Sequence, residues 1–202
     1  MKTRTLILIL SIALNLKGQP PQIGQWKDYL PYNNAISLEE INEQIYVCTE
    51  NNLFLLNKND DFISRLTTIS GLSDVGVKCM KKDAESNTLV IAYKSCKIDI
   101  LKDNNIQSLL DVERENIVGG KSINNISFYS GKCYLSCSFG IIELDIEKLE
   151  VTNTFYLSSD GNIGVNDISF LGDSIYAATD SGLFAAKLND NLLDFRSWKN
   201  RI

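Results

Sequence analysis

The amino-acid sequence predicts an all-β fold, and two observations predict it. Short segments of alternating apolar and polar residues recur along the chain, and a ten-residue pattern returns at an almost constant spacing. Alternation with a period of two is typical of a strand with one buried face. A constant spacing indicates a repeated unit, whereas a β-sandwich has no fixed repeat.

The first 18 residues have the form of a secretory signal peptide. Lys2 and Arg4 precede an apolar run over residues 5–16, and Gly18 is the small residue at the expected cleavage point. This run is shorter than the roughly 20 residues that span a bilayer. We predict that residues 1–18 are removed and that residues 19–202 are exported as a soluble protein. An N-terminal membrane anchor is the alternative.

Four ten-residue segments share one pattern. They begin at Ile45, Leu89, Cys133 and Ile175, which gives spacings of 44, 44 and 42 residues. Their tenth position is large and apolar: Phe54, Ile98, Ile142 and Phe184. Their eighth position is Asn52, Cys96, Gly140 and Gly182. Gly and Asn suit the positive φ of a tight hairpin turn. Cys suits it poorly, so we expect the turn at Cys96 to differ.

Further strands are predicted around each segment. Alternating strands precede three of them, at residues 77–79, 126–128 and 168–170, with turns at residues 83–87, 130–132 and 172–174. A third strand follows, as at residues 54–56 and 142–146, and a less regular fourth, as at residues 62–66 and 151–156. Residues 141–149 also fit an amphipathic helix, but the repeat register favours strand, turn and strand there.

A repeat of about 40–50 residues with four antiparallel strands is the unit of a β-propeller blade. The mature length suits roughly four blades, and propellers have about four to eight. Residues 195–198 are predicted to end an outer strand, and Trp26 marks a similar outer strand near the start. A closed four-bladed ring and an unfinished ring both fit. We expect an incomplete ring that forms the N-terminal part of a longer protein.

Composition excludes several functions. The chain has 202 residues, no histidine and a net charge of -5, and loss of Lys2, Arg4 and Lys17 with the leader would make it about -8. Without a basic excess, bulk nucleic-acid binding is not expected. Without histidine there is no Ser-His-Asp or Cys-His nucleophile and no histidine metal ligand. Neither a phosphate-binding glycine motif nor a calcium loop is present. The sequence predicts no catalytic residue, cofactor site or metal site.

The five cysteines are predicted to be small buried apolar residues. They are Cys48, Cys79, Cys96, Cys133 and Cys137, and their odd number leaves at least one thiol unpaired within the chain. No CxxC spacing supports a zinc or redox site. Cys133 and Cys137 lie roughly 13 Å apart along one extended strand, too far for a disulfide. A cross-strand disulfide between other pairs stays open.

Other polar and aromatic residues receive structural interpretations. Scattered carboxylates are expected in turns and on solvated strand faces: Asp74, Asp99, Glu143, Asp145, Asp167 and Asp180. A glycosidase pair would need two of them about 5–10 Å apart, and their spacing selects none.

Lys78, Lys81 and Lys82 are expected in an exposed turn. Recurring residues at the second repeat position are expected to pack between blades, with sugar stacking as the alternative: Tyr46, Val90, Tyr134 and Tyr176. Outer-strand closure is expected to involve Trp26, Tyr29, Tyr32 and Trp198, with an interaction surface at the outer rim as the alternative.

Several segments carry a family resemblance. Residues 45–54 and 175–184 resemble the Thr-x-x-Gly-Leu core of the two-component-regulator propeller repeat, and residues 69–74 resemble the turn that enters its next blade. Residues 23–34, combined with residues 71–77 and 87–93, are similar to the N-terminal propeller of the PorZ family. The likeness extends over most of residues 22–198. Cys96 and Asn52 depart from the turn glycine of the repeat.

The resemblance implies a protein of the periplasm and cell surface of Bacteroidota. PorZ-like proteins contain two propellers and a C-terminal domain, and they belong to the attachment complex of the type IX secretion system. Contact with lipopolysaccharide is assigned in that family to the C-terminal domain. The expected function is therefore a non-catalytic assembly module whose partners are other attachment-complex proteins. An oligosaccharide-sensing propeller of a hybrid two-component regulator is the second hypothesis, and an enzyme on a propeller scaffold is the third.

Overall fold

The computed structural model describes residues 32–109, 112 and 120–202. The predicted signal peptide, Trp26 and Tyr29 lie outside these residues. Sixteen strands in the described part form four antiparallel sheets, each with four strands in sequence order. We call these sheets blades 1 to 4.

The strand bounds are as follows. Blade 1 contains β1 (Ala35–Ile41), β2 (Gln44–Thr49), β3 (Leu53–Asn57) and β4 (Ile63–Leu66). Blade 2 contains β5 (Val77–Asp83), β6 (Thr88–Tyr93), β7 (Ile98–Lys102) and β8 (Asn105–Leu109). Blade 3 contains β9 (Ile123–Tyr129), β10 (Lys132–Cys137), β11 (Gly140–Asp145) and β12 (Glu150–Phe155). Blade 4 contains β13 (Val165–Leu171), β14 (Ser174–Thr179), β15 (Gly182–Lys187) and β16 (Lys199–Asn200).

The four blades form an open arc. The first strands of successive blades lie next to one another, in the order β1, β5, β9 and β13, and so form the inner wall. The described sheets do not close into a ring. The predicted β-propeller of four-stranded blades, incomplete as a ring, is therefore confirmed. Residues 141–149 contain the end of β11 and the turn that leads into β12, and no helix, as the repeat register predicts.

The two faces of a blade pack on different neighbouring blades, and the alternating side chains of the second strand show this most clearly. Tyr46 and Cys48 of blade 1 pack with Leu89 and Ile91 of blade 2 in one apolar cluster. The same alternation places second-strand residues of blade 2 against blade 3, and Tyr134 of blade 3 against blade 4. We call the side that packs on the following blade the leaving face, and the opposite side the entering face. A sheet that is apolar on both sides is stable only between two neighbours.

The inner strands share one irregularity. A β-bulge occurs at the same place in all four first strands, where one residue has no partner on the second strand. These residues are Ile36, Lys78, Asn124 and Asn166. Because a bulge increases local twist, its recurrence gives each blade the same inner geometry. Asn124 Nδ2 also donates to the carbonyl oxygen of Val165 at 2.8 Å, which ties blade 3 to blade 4.

The turns after the second strands follow the prediction only in part. Gly140 and Gly182 have positive φ (147° and 111°), as expected, but Asn52 does not. At Asn52 the carbonyl oxygen accepts bonds from the backbone N–H and the hydroxyl of Thr49, which hold a tight turn without a left-handed residue. Cys96 has a φ of 66°. It ends a loop one residue longer than the others, closed by a bond from Tyr93 N–H to the Lys97 carbonyl oxygen.

The outer strand of blade 4 corrects another expectation. Residues 195–198 were expected to end that strand, but Phe195–Ser197 is a 3-10 turn and the strand begins after it, at Lys199. The turn is capped by Asp194, whose side chain accepts from the Arg196 backbone N–H. Trp198 is buried and its indole N–H donates to the Leu192 carbonyl oxygen at 3.1 Å. Closure of the blade thus uses a packed indole instead of a long fourth strand.

Gly140 should be irreplaceable for two independent reasons. Its φ of 147° is unfavourable for other residues, and a Cβ there would overlap the carbonyl oxygen of Phe155 on the outer strand. Gly140→Ala is expected to lower the free energy of unfolding by about 3 kcal/mol, measured in urea. Gly131→Ala, with a positive φ but open space around the Cβ, should cost about 1 kcal/mol. Equal losses for the two variants would contradict the role assigned to Phe155.

Candidate functional site

A polar groove lies on the inner wall, where β9 and β13 run side by side close to β5. It has a volume of about 430 Å³. Its lining consists of Lys81 with residues 125–129 and 167–170. The groove exists because the inner strands expose one edge and their short polar side chains to the centre of the arc. We call it the inner groove.

Polar side chains of three blades meet at the inner groove. Asn125 Nδ2 donates to Asp167 Oδ1 at 2.7 Å, which links blade 3 to blade 4. The same Asp167 oxygen accepts the backbone N–H of Ile168 at 2.8 Å. Lys81 Nζ lies 3.8 Å from Glu39 Oε1 of blade 1, and its side chain is 55% exposed. The groove therefore offers a cation, an amide, a carboxylate and the hydroxyls of Ser127 and Ser169 to a ligand.

Aromatic rings form one end of the lining. Tyr129 and Phe170 stack with centroids 4.1 Å apart and an interplanar angle of 5°. Tyr134 packs on Phe170 from the side, with centroids 5.0 Å apart. Burial, followed by the nearby Glu143 carboxylate, raises the pKa of Tyr134, so this phenol stays neutral. Rings fixed beside hydrogen-bonding groups suit the binding of an amphipathic ligand.

The lining of the inner groove bears on the glycosidase pair considered from the sequence. Among the described residues that line the inner groove, Asp167 is the one carboxylate, and it is held by Asn125. Hydrolysis of a glycoside by the usual route needs a second carboxyl group across the bond. No group of three metal-ligating side chains occurs within the described ranges.

The other predicted carboxylates are spread over different blades, each with a local partner. Asp74 pairs with Lys97, and Asp145 pairs with Lys132 and Lys148. Glu143 accepts from Thr152 and Asn153, and Asp180 accepts from Asn166. Asp99 differs because it is fully buried between blades 1 and 2. It accepts from the Tyr93 hydroxyl, the Ser108 hydroxyl and the Ser73 backbone N–H at 2.7 to 2.8 Å.

The sequence predicts an exposed turn for the three clustered lysines, and this prediction is wrong. Lys78, Lys81 and Lys82 lie on strand β5. Lys81 enters the inner groove, whereas Lys78 is the exposed bulge residue and Lys82 donates to the Glu40 carbonyl oxygen at 2.8 Å. Sequence reasoning missed the inner groove because its residues come from three separate repeats.

The predicted packing between blades is confirmed for three of the four residues at the second repeat position. Tyr46 and Tyr134 are buried between blades, as is Val90 at the same position. Tyr176 is half-buried on the leaving face of blade 4. Tyr32 packs edge-on against Phe54, with the Arg65 guanidinium 4.9 Å from its ring centroid.

All five cysteines are free thiols, four of them buried and Cys79 half-buried. Burial raises the pKa of Cys48 to about 11 and that of Cys79 to about 12. It also raises the pKa of Cys133 and Cys137. The thiolate is the reactive form, so none of these four residues has the environment of a nucleophile.

These thiols should affect stability at alkaline pH. Because their folded pKa values exceed the unfolded value of about 8.5, the stability they contribute is complete below that pH and is lost as the pH rises. The free energy of unfolding should fall between about pH 8.5 and 11. At pH 8 a thiol reagent should label the native chain slowly and the unfolded chain at all five cysteines. Rapid labelling of the native chain would contradict this burial.

The described residues thus define a β-propeller domain with a ligand-sized groove at its inner wall. The family model of the type IX secretion system PorZ N-terminal β-propeller domain matches residues 45–199. The chain belongs to this family. No curated protein matches the chain.

Solved structures share the fold. PorZ, an essential surface component of the type IX secretion system of Porphyromonas gingivalis, is 23% identical with a TM-score of 0.71, over 83% of this chain and 23% of that one. The extracellular domain of BT4673 from B. thetaiotaomicron, described as a hybrid two-component system, is 15% identical with a TM-score of 0.65, over 84% and 23%. The computationally designed protein Ika8 is 12% identical with a TM-score of 0.57, over 77% and 46%.

The chain spans about a quarter of PorZ and of the BT4673 domain. Within the described ranges, no helix is long and apolar enough to cross a membrane.

Proposed function

We propose that this protein is a non-catalytic, exported assembly module of the type IX secretion attachment complex. The match of residues 45–199 to the PorZ N-terminal propeller family carries the proposal. The signal-peptide pattern of residues 1–18 supports export to the periplasm and cell surface. Its partners are other proteins of the attachment complex. Contact with lipopolysaccharide belongs to the C-terminal domain of that family and not to the matched region.

The inner groove supports an assembly role. It combines Lys81, Asp167 and stacked rings in one concave surface. Such a surface binds a protruding loop of a partner through a few oriented polar contacts and an apolar face. The inner groove is the proposed contact of this module.

Affinity capture tests the proposal. The tagged chain, incubated with an outer-membrane extract of a bacterium that uses the type IX system, should recover attachment-complex proteins. Lys81→Glu reverses the one cation of the described groove lining and should lower recovery at least about tenfold, or 1.4 kcal/mol. Lys78→Glu is the matched control, because Lys78 lies on the same strand outside the lining. Absence of secretion-system proteins from the captured material would contradict the proposal. Equal recovery with both variants would place the contact elsewhere.

A sugar-sensing role is the second candidate. The BT4673 domain, which shares the fold, is the extracellular part of a two-component system, and the Tyr129–Phe170 stack offers aromatic surface of the kind that sugars bind. If it holds, a panel of oligosaccharides should contain at least one that binds and protects the chain against heat. Phe170→Ala should then abolish the protection. The assembly proposal expects no binding across the panel, so this measurement separates the two functions.

A further inference from the structure

Four of the five cysteines lie in one interface, between blades 2 and 3. Cys96, Cys133 and Cys137 belong to the apolar cluster there, and Cys79 packs against it. Cys48 belongs to the cluster between blades 1 and 2. We propose that Cys96 and Cys137 form a disulfide that joins blades 2 and 3 when the protein is in an oxidising compartment.

Cys96 and Cys137 lie at the same edge of their blades. Cys96 is in the turn that follows β6, and Cys137 is the last residue of β10. Both strands are the second of their blade, and blades 2 and 3 have the same strand order, so the ends of β6 and β10 are on the same side of the arc. Both residues are buried, with exposures of 3% and 0%. Burial raises the pKa of Cys137, and the neighbouring thiols Cys96 and then Cys79 raise it further.

The other two thiols of this interface are less suited to a bond with Cys137. Cys133 lies near the start of the strand that Cys137 ends, and so near the opposite edge of blade 3. Cys79 follows the bulge of β5 by one residue, as Asn125 and Asp167 follow the bulges of β9 and β13. Asn125 and Asp167 line the inner groove. Cys79 is therefore at the inner wall, where it is half-buried.

The backbone at Cys96 is a second, independent observation. Its φ of 66° lies in the left-handed region, which is unfavourable for most residues with a Cβ. The same segment position is Gly140 in blade 3 and Gly182 in blade 4. Glycine would relieve the strain, but only a cysteine can bond to Cys137. A strained residue is often a functional one, and the proposed bridge gives Cys96 such a function.

A bridge at this place would stabilise the contact between two blades. Cys96 and Cys137 are 41 positions apart along the sequence, so the bond would restrict the unfolded chain over a long loop. Disulfides between packed sheets occur in other β proteins. They persist in the periplasm and at the cell surface, and this part of the argument rests on the export in the proposed function.

The reaction is thiol–disulfide exchange with a small disulfide oxidant of the glutathione type. While the blades are packing, the Cys137 thiolate attacks the oxidant, releases one thiol and forms a mixed disulfide. The Cys96 thiolate then attacks the Cys137 sulfur, forms the new S–S bond and releases the second thiol. The two cysteines lose two protons and two electrons, and the oxidant is reduced to two thiols. Once the blades are packed, burial limits the access of reductants to the bond.

Refolding of the full chain in glutathione tests the proposal. The chain is reduced and unfolded in urea, then refolded either in mixed reduced and oxidised glutathione or with excess reductant, and circular dichroism identifies the folded samples. After denaturation, a maleimide should label all five cysteines of the reduced sample and two fewer in the oxidised sample. Peptide mapping without reductant should find Cys96 linked to Cys137. The oxidised chain should melt about 10 °C higher than the reduced chain.

Two variants separate the bridge from the packing of the thiols. Cys96→Gly suits the turn, so under reductant it should fold and melt close to the parent chain. In glutathione it should lose no thiols and gain no stability. Cys133→Ala is the matched control, because Cys133 is a buried thiol of the same cluster. This variant should still form the bridge and show the same rise in melting temperature.

Three results would overturn the proposal. They are a parent chain that keeps five free thiols in the oxidising buffer, a bridge at Cys79 or Cys133 in place of the proposed pair, and an oxidised Cys96→Gly variant that gains the same stability as the parent. Glutathione supplies the oxidant in this experiment. The result therefore does not depend on export or on a role in the attachment complex, which the affinity capture tests separately.

Discussion

Burial of the second strands between adjacent sheets is the constraint on which this structure depends. The second strands of blades 2 and 3 direct alternate side chains into two different interfaces, so each of these blades contributes to two apolar clusters. A single sheet of about 45 residues cannot remove both of its faces from water. The alternation of side chains within a strand and the spacing of about 44 residues between second strands therefore have the same cause, which is the burial of both faces of each sheet. Residues at a given repeat position are alike because they occupy alike interfaces.

Polar contacts then fix how closely the inner strands approach. Asn125 with Asp167, Asn124 with the Val165 carbonyl, and Lys82 with the Glu40 carbonyl each join successive first strands. Such bonds are individually modest, about 1 kcal/mol, but they sit where the apolar layer ends and the centre of the arc begins. The inner groove is a by-product of this boundary. Two of its polar lining residues, Asn125 and Asp167, form one of these contacts between first strands.

The sequence predicts the blades well because each strand carries its own alternation and each turn its own residues. It fails where one blade departs from the others. The extra loop residue before Cys96 shifts Ile98 to pair with Ala92, while Phe54, Ile142 and Phe184 pair with the preceding position of their second strands. An alignment of the four ten-residue segments does not reveal this shift, because Ile98 at the tenth position is apolar like its three counterparts. The inner groove could not be found from the sequence, since its residues are brought together only when three inner strands meet.

The same shift explains the buried carboxylate of blade 2. Asp99 pairs with Ile91 and so occupies the place of Phe54, Ile142 and Phe184. An unpaired carboxylate there would cost several kcal/mol, but three donors surround it. Tyr93 supplies one from the end of β6, where other blades have Thr or Cys, and the Ser73 N–H comes from the connection out of blade 1. Asp99 therefore fixes the entry into blade 2 by the hydrogen bonds it must accept. Asp99 differs from the apolar residues at this position of the other blades. It is stable there because Tyr93 also differs from its counterparts and donates a hydrogen bond to the carboxylate.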